Sequence, residues 1–251
     1  MPEVRSWSGA EYDRLSTPME AMGREVLERL PLEGWETVID AGCGSGRVTE
    51  ALVARVPQGR VIGIDVSASM IDTARERLGA RAELHVADLV TLDLGIQADA
   101  ILSTATFHWI ADHEALFARM RAHLRDGGRF VAQCGGQGNI ASVHAAARET
   151  MVVEPFAAHF AGWQGPWNFA TPEETERRLQ AAGFAQSRAW LQPRPVTPDD
   201  PYGYLTEINL GAHLGRLPDE LKGPFVDDVL DRLGGGPITI DYVRLNIDAT
   251  A

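Results

Sequence analysis

The residues with the plainest chemical use are Asp40-Ala-Gly42-Cys43-Gly44-Ser-Gly46, set between a short apolar run and a helical pattern. Glycines at such a junction let the main chain turn at positive φ and let a ligand approach it, while the helix that follows offers unpaired N–H groups. A G-x-G-x-x-G dinucleotide fingerprint would need glycine or alanine where Arg47 stands, so the spacing departs from it. A tight turn with no ligand is the plainer alternative. Two more acids follow apolar runs. Asp65 closes residues 60–65, where a carboxylate can accept from two adjacent ribose hydroxyls, as an NAD site would also require. Asp88, after residues 82–86, reads by itself as a solvated turn acid.

A second group follows the apolar run 98–103. His108 titrates near neutrality in an ordinary setting, which suits a base for an enol, phenol or amine acceptor; otherwise it is a ring hydrogen bonded in a helix–strand crevice. Trp109 either walls a pocket or packs as a core tryptophan on the next helix. Further along, Phe156, Phe160, Trp163, Trp167 and Phe169 gather in one aromatic stretch. Arg148, Arg194, Arg216 and Arg244 are available to fork onto a carboxylate, although an arginine on a helix more often faces solvent.

Positioning these residues takes alternating strands and helices. Met22, Val26, Leu27 and Leu30 recur at helical spacing over 18–30, ahead of a strand over 37–41. A helix over 47–56, a strand over 60–65, and a helix capped by Ser67 and ended by Gly79 follow. Strands are expected over 82–86, 98–103 and 129–134, with a helix over 112–125. Next come a helix over 141–153, a capping box at Thr171 and Glu174 opening a helix that stops at Gly183, and a strand over 184–191. Helices over 202–214 and 219–233 lead to a last strand over 238–247. The alternation implies an α/β fold, its sheet mostly parallel with helices on both faces.

Composition sets limits on partners. Of 251 residues, 23 are Lys or Arg and 35 are Asp or Glu, a net charge of −12, which disfavours nucleic acid and anionic membranes because either needs clustered positive charge. Cys43 and Cys134 make no disulfide framework, and no Cys/His cluster has metal spacing, so no metal is expected. No basic, apolar leader and no run of membrane-spanning length is present, which makes the cytoplasm the expected location.

Together these motifs resemble the class I S-adenosylmethionine-dependent methyltransferases: the glycine loop with its upstream acid, Asp65-Val66-Ser67-Ala-Ser-Met70, Ala87-Asp88-Leu89, the segment 99–110, and Leu124-Arg-Asp-Gly127-Gly128. Residues 109–113 (Trp-Ile-Ala-Asp-His), Tyr12 and Arg244-Leu245 are similar to the trans-aconitate methyltransferase-like (methyltransferase type 11) group and to juvenile hormone acid methyltransferase-like proteins.

The resemblance implies a Rossmann-like fold: one domain on a seven-stranded, mostly parallel sheet, the last strand antiparallel beside the sixth. Residues 1–34 would be N-terminal cap helices, 35–135 the cofactor-binding core, and 136–251 a lid with the remaining core, the helical lid drawn from about 140–170 and 200–235. The implied cofactor is S-adenosylmethionine. Asp40, Gly42, Cys43, Gly44 and Gly46 would hold its methionine part, Asp65 with Val66 the ribose, Met70 the adenine face, and Asp88 with Leu89 the adenine edge. Ser103 and Thr104 would meet the methionine amino group. His108 and Trp109 would be catalytic, and Tyr12, Trp163 and Trp167 would contact the acceptor. The implied reaction is methyl transfer to a small molecule, with O-methylation of an organic acid first. The alternatives are C-, N- or phenol O-methylation, or a non-methylating use of the cofactor. A monomer or homodimer is expected.

Overall fold

Valine and isoleucine fill the runs 37–41 and 60–65, and both become buried parallel strands, as β-branched residues covered on two faces should. The computed structural model describes residues 17–251. In chain order it contains α1 (Thr17–Glu28), β1 (Thr37–Ala41), α2 (Arg47–Arg55), β2 (Arg60–Asp65), α3 (Ala68–Leu78), β3 (Glu83–Val86), β4 (Ala98–Thr104), α4 (His113–Ala122) and β5 (Leu124–Gly135). Then come α5 (Ala141–Met151), α6 (Pro172–Ala181), β6 (Gln186–Pro193), α7 (Pro201–Tyr204), α8 (Gly211–Leu214), α9 (Asp219–Arg232) and β7 (Val243–Thr250).

The seven strands run in the order β3-β2-β1-β4-β5-β7-β6. Every pairing is parallel except those of β7, which lies antiparallel between β5 and β6. The order reverses between β1 and β4, and in open α/β sheets a ligand binds outside the carboxyl ends of the strands at such a reversal. One face of the sheet is covered by α1 and α2 through Val26, Leu27 and Leu52. The other carries Phe107, Phe117, Met120, Phe130 and Phe184. A third apolar cluster, separate from both faces, joins α5, α7, α8 and α9 through Val143, Tyr204, Leu214, Phe225 and Val229.

Local signals set most boundaries. Ser67 Oγ accepts from the Met70 N–H at the start of α3, and Thr171 with Glu174 forms the expected capping box on α6. Four expectations need correction. The last strand occupies 243–250 rather than 238–247. The alternating Ile238-Thr-Ile240-Asp-Tyr242 makes one bridge, Val196 to Ile240, and buries its apolar side in the third cluster. The 202–214 helix is broken, because Leu210 N–H bonds back five residues to the Leu205 carbonyl and opens a π turn at Leu205–Asn209. β5 starts at Leu124, since its pairing with Ala98 resumes across a register shift. Between 152 and 171 the only helical turn is Ala157–His159, so that part of the proposed lid is irregular chain. Of the N-terminal helices expected over 1–34, α1 is described and residues 1–16 lie outside the described residues.

Candidate active site

At the carboxyl end of β1 the N–H groups of Gly42 and Cys43 both donate to the Ile64 carbonyl, at 2.8 and 2.9 Å, which ties the glycine loop to β2. Gly42 has φ 87°, and a Cβ there would come within 2.1 Å of Thr106 Oγ1. That hydroxyl lies within hydrogen-bond distance of both the Thr104 carbonyl, at 3.0 Å, and the Gly42 carbonyl, at 3.2 Å, so the loop is closed against the segment after β4. Gly44 has φ 53°, and a Cβ there would meet open space. Gly46 packs on Ala74 and Leu78 of α3. The Cys43 thiol is buried beside Gly63, and burial pushes its pKa well up, so it is a neutral packing group.

The acids differ in their surroundings. Asp40 is 1% exposed: Oδ2 accepts from Thr49 Oγ1 at 2.7 Å, and Oδ1 has no partner among the described residues. Burial raises its pKa to about 6, with the Thr49 hydrogen bond opposing and the charge of Asp65 adding. Asp65 clasps the loop, one oxygen accepting from the Gly44 N–H and the other from the Ser67 N–H, each at 2.9 Å. Its pKa is also raised by burial, against three backbone hydrogen bonds that lower it. Beside it Val66 is 50% exposed, and Val86 at the end of β3 is 49% exposed. Met70 and Leu89 are buried, whereas Asp88 is exposed and turns one oxygen onto the Val90 N–H. An orphaned carboxylate oxygen, an open glycine cradle and a bare apolar shelf fit a ligand with a cationic head, a hydroxylated sugar and a flat base.

After β4 the chain changes direction under strain: Ala105 takes φ 56°, unusual for a residue with a Cβ, and its N–H donates to the Gln133 carbonyl of β5. Ser103 is buried and spends its hydroxyl on the Ala41 carbonyl at 2.6 Å, pinning β4 to β1; Thr104 is half-buried. His108 is buried, and its Nδ1 accepts from the Gly135 N–H at 3.3 Å. Its pKa lies well below the ordinary histidine range, chiefly through burial and then through the charge of Arg244. The ring is therefore neutral and carries its proton on Nε2.

Rings from four segments converge beyond it. His108 stacks on Phe169 and lies 5.1 Å from Trp109, while Trp109 meets Trp167 at 6.1 Å. Trp167 contacts Trp163, His144 and His213, the last two at 4.4 and 5.3 Å. Burial lowers the pKa of His144 to about 4 and that of His213 to about 3. At Gly165 a side chain would strike the Trp167 ring at 2.2 Å, so that glycine allows the tryptophan to fold back. Arg244, at the start of β7 and paired in register with Gly135, is 3% exposed. Of the other three arginines, Arg194 pairs with Glu25, Arg216 lies over Trp163, and Arg148 is exposed.

Asp40, the glycine loop, Asp65, Val66 and Met70 are thus held at the ends of β1 and β2, with Ser103 and Thr104 at the end of β4, His108 and Trp109 beyond it, and Trp163 and Trp167 over the edge. Tyr12 lies outside the described residues. Thr49, Thr106, Gly135, His144 and His213 were not singled out from sequence. Only Gly135 left a signal, as the first residue of Gly135-Gly-Gln-Gly-Asn where the strand–helix rhythm stops.

Residues 38–128 match a methyltransferase domain family. The chain is similar to the trans-aconitate 2-methyltransferase of Paracidovorax citrulli, 33% identical over 192 residues that cover 76% of this chain and 69% of the relative. It is also similar to that of an Azoarcus species, 36% identical over 62% of this chain, a match that spans 60% of the relative's length. Among solved structures, the YcgJ protein of Bacillus subtilis superposes with a TM-score of 0.62 at 15% identity, over 92% of this chain and 97% of that one. The phosphoethanolamine N-methyltransferase 2 of Haemonchus contortus gives a TM-score of 0.61 at 18% identity, over 100% and 61%. Those two likenesses concern the fold. Among the described residues no helix is long and apolar enough to cross a membrane.

Proposed function

Because the chain belongs to the class I S-adenosylmethionine-dependent methyltransferases, in the group of the trans-aconitate 2-methyltransferases, we propose that it methylates a carboxylate oxygen of a small organic acid held between His108 and Arg244. The cofactor supplies an electrophilic methyl on a sulfonium. Asp40 and the loop Gly42–Gly46 receive its amino-acid end, Asp65 the ribose hydroxyls, and Val66, Met70 and Leu89 the adenine, with Asp88 at its edge. The Ser103 hydroxyl is committed to Ala41, so the main chain of Ser103 and Thr104 is the part that can meet the ammonium. Trp109, Trp163 and Trp167 act as the wall and lid that exclude water, which matters most where transfer depends on alignment.

The observation that carries the carboxylate reading is the state of His108. A phenol, an amine or a carbon acid must lose a proton, and a base should stand nearby. His108 has Nδ1 occupied by Gly135 and resists protonation, so it donates from Nε2 rather than accepting a proton. A carboxylate needs no base. It needs donors that hold one oxygen while the other reacts, and the planar fork of the buried Arg244 beside His108 suits that task. The net charge of −12 agrees with a small-molecule acceptor rather than nucleic acid, and two reduced, buried cysteines agree with a cytoplasmic site of action.

The test is incubation with methyl-tritiated S-adenosylmethionine and a panel of trans-aconitate, simpler carboxylic acids, phenols and amines. Label should enter the acids as base-labile methyl esters. Label confined to phenols or amines would overturn the reading.

A further inference from the structure

We infer that Gln133, Asn246 and Arg29 are positioning residues that aim the Arg244 guanidinium at the acceptor carboxylate; the inference rests on the acid-methylating reading above. The four side chains form one hydrogen-bonded column. Arg244 Nε donates to Gln133 Oε1 at 3.3 Å, Gln133 Nε2 donates to Asn246 Oδ1 at 2.9 Å, and Arg29 Nη1 donates to the same Oδ1 at 2.6 Å. Topology sets the column up. Gln133 and Asn246 are directly opposed on the antiparallel β5–β7 pair, and Arg244 and Asn246, two apart on β7, share a sheet face.

The column has one direction. An amide side chain can turn end for end, but a guanidinium has no acceptor, so whatever faces Arg29 Nη1 must be an oxygen. That fixes Asn246 Oδ1 toward Arg29 and leaves Nδ2 to donate to Gln192 Oε1 at 3.3 Å. Since Oδ1 also faces Gln133, the Gln133 atom there must be nitrogen, and Oε1 is left for Arg244. Arg29, in the turn after α1, thereby holds Asn246 in the orientation that supports Gln133, and Arg244, itself a donor only, meets the Gln133 oxygen that this leaves. Arg29 itself is held by Asp248 Oδ1 at 3.2 Å, by the Ala132 carbonyl at 3.1 Å, and by the Trp190 ring under its guanidinium at 5.1 Å.

Packing alone does not call for this arrangement. On the same face, Val131, Leu102 and Ala100 are apolar and fully buried, and apolar side chains of similar volume are often as stabilising as a buried polar set. The polar exception begins where the face nears the carboxyl edge and ends on Arg244. With Nε engaged, the guanidinium plane is set, which is the preorganisation needed to hold one carboxylate oxygen while the other reacts.

The experiment compares Arg29→Met, Arg29→Lys and Gln133→Met with the wild type, using trans-aconitate and labelled S-adenosylmethionine for kcat and KM, S-adenosylhomocysteine for cofactor-site affinity, and a thermal melt. We expect Arg29→Met and Gln133→Met to raise KM for the acid about tenfold, with kcat within about threefold and S-adenosylhomocysteine affinity unchanged. Arg29→Lys keeps a donor for Asn246 Oδ1 and should restore KM although its melting temperature stays low. Wild-type KM in folded Arg29→Met or Gln133→Met overturns the inference, as does a KM that follows melting temperature across all three variants. If Arg29→Met fails to fold, Gln133→Met and Arg29→Lys decide. A wild type that binds S-adenosylhomocysteine but methylates no carboxylic acid sinks the acid-methylating reading instead, and the inference with it.

Discussion

The main-chain N–H of Gly135 donates to Nδ1 of His108 at 3.3 Å, joining the end of β5 to the turn after β4 and fixing the ring's proton on Nε2. Burial and the charge of Arg244 keep that ring neutral. Rate at saturating cofactor and acid should therefore show no histidine limb between roughly pH 6 and 8. His108→Phe, which keeps a ring but loses the donor, should raise KM for the acid by about fivefold to tenfold, the usual worth of one hydrogen bond. His108→Gln should recover part of it. A titrating limb near pH 6.5 that vanishes in His108→Gln would make His108 a base and reopen phenol or amine acceptors.

Asp40 titrates where the assay can follow it. Its pKa is raised to about 6 by burial, and Oδ1 has no partner among the described residues. A cationic ligand favours the ionised form, so binding should release a proton near pH 6 and weaken as pH falls further. The dissociation constant for S-adenosylmethionine should rise by about tenfold per pH unit below that point. Asp40→Asn should bind more weakly at pH 8 and lose the pH dependence. Equal dependence in Asp40→Asn would assign the titration elsewhere.

Much of this was legible from short-range pattern. The strands 37–41 and 60–65, the Ser67 cap and the Thr171 capping box were readable because each depends on neighbours a few residues apart. Asp40 and the loop Gly42–Gly46 could be read for the same reason. What could not be read are pairings made by topology. Thr49, in the first turn of α2, carries no mark that pairs it with Asp40, and the glycine run that begins at Gly135 marks a break in the rhythm without pointing to His108, which precedes it by 27 residues. Residues 238–242 alternate as a strand does, yet the segment packs into the helical cluster, because period-two hydrophobicity records one buried side and not what covers it.

The paired histidines behind Trp167 predict acid sensitivity. His144 and His213 have folded pKa values lowered to about 4 and about 3 by burial, against 6.5 for an unshifted histidine. Below pH 6.5 the unfolded chain takes up two protons that the native state refuses, so stability contributed by the neutral rings is present above that pH and lost as pH falls. Their part of the slope should approach roughly 2.7 kcal/mol per pH unit by pH 5, before the folded rings titrate, and the buried His108 adds to it in the same direction. His213→Phe, which preserves the contacts with Trp163 and Phe225, should halve that part of the slope in melts from pH 8 to 5. An unchanged slope would show that other groups dominate acid unfolding.

Gly42 and Gly44 separate the loop's structural requirement from its ligand requirement. Both have positive φ, so alanine at either carries a strain of about 1–2 kcal/mol. At Gly42 the new Cβ also collides with three atoms of the Thr106 side chain, between 2.1 and 2.6 Å away, while at Gly44 it enters open space. Gly42→Ala should therefore lower the melting temperature more than Gly44→Ala does, and adding Thr106→Ala should recover part of that loss non-additively, since the two residues are in contact. Cofactor binding should show the opposite order. The space beside Gly44 adjoins the Asp65 clasp where the ribose is proposed to lie, so Gly44→Ala should weaken S-adenosylmethionine binding by about tenfold or more beyond what its small stability loss accounts for. Wild-type affinity in Gly44→Ala, measured by titration calorimetry on folded protein, would move the cofactor away from this loop.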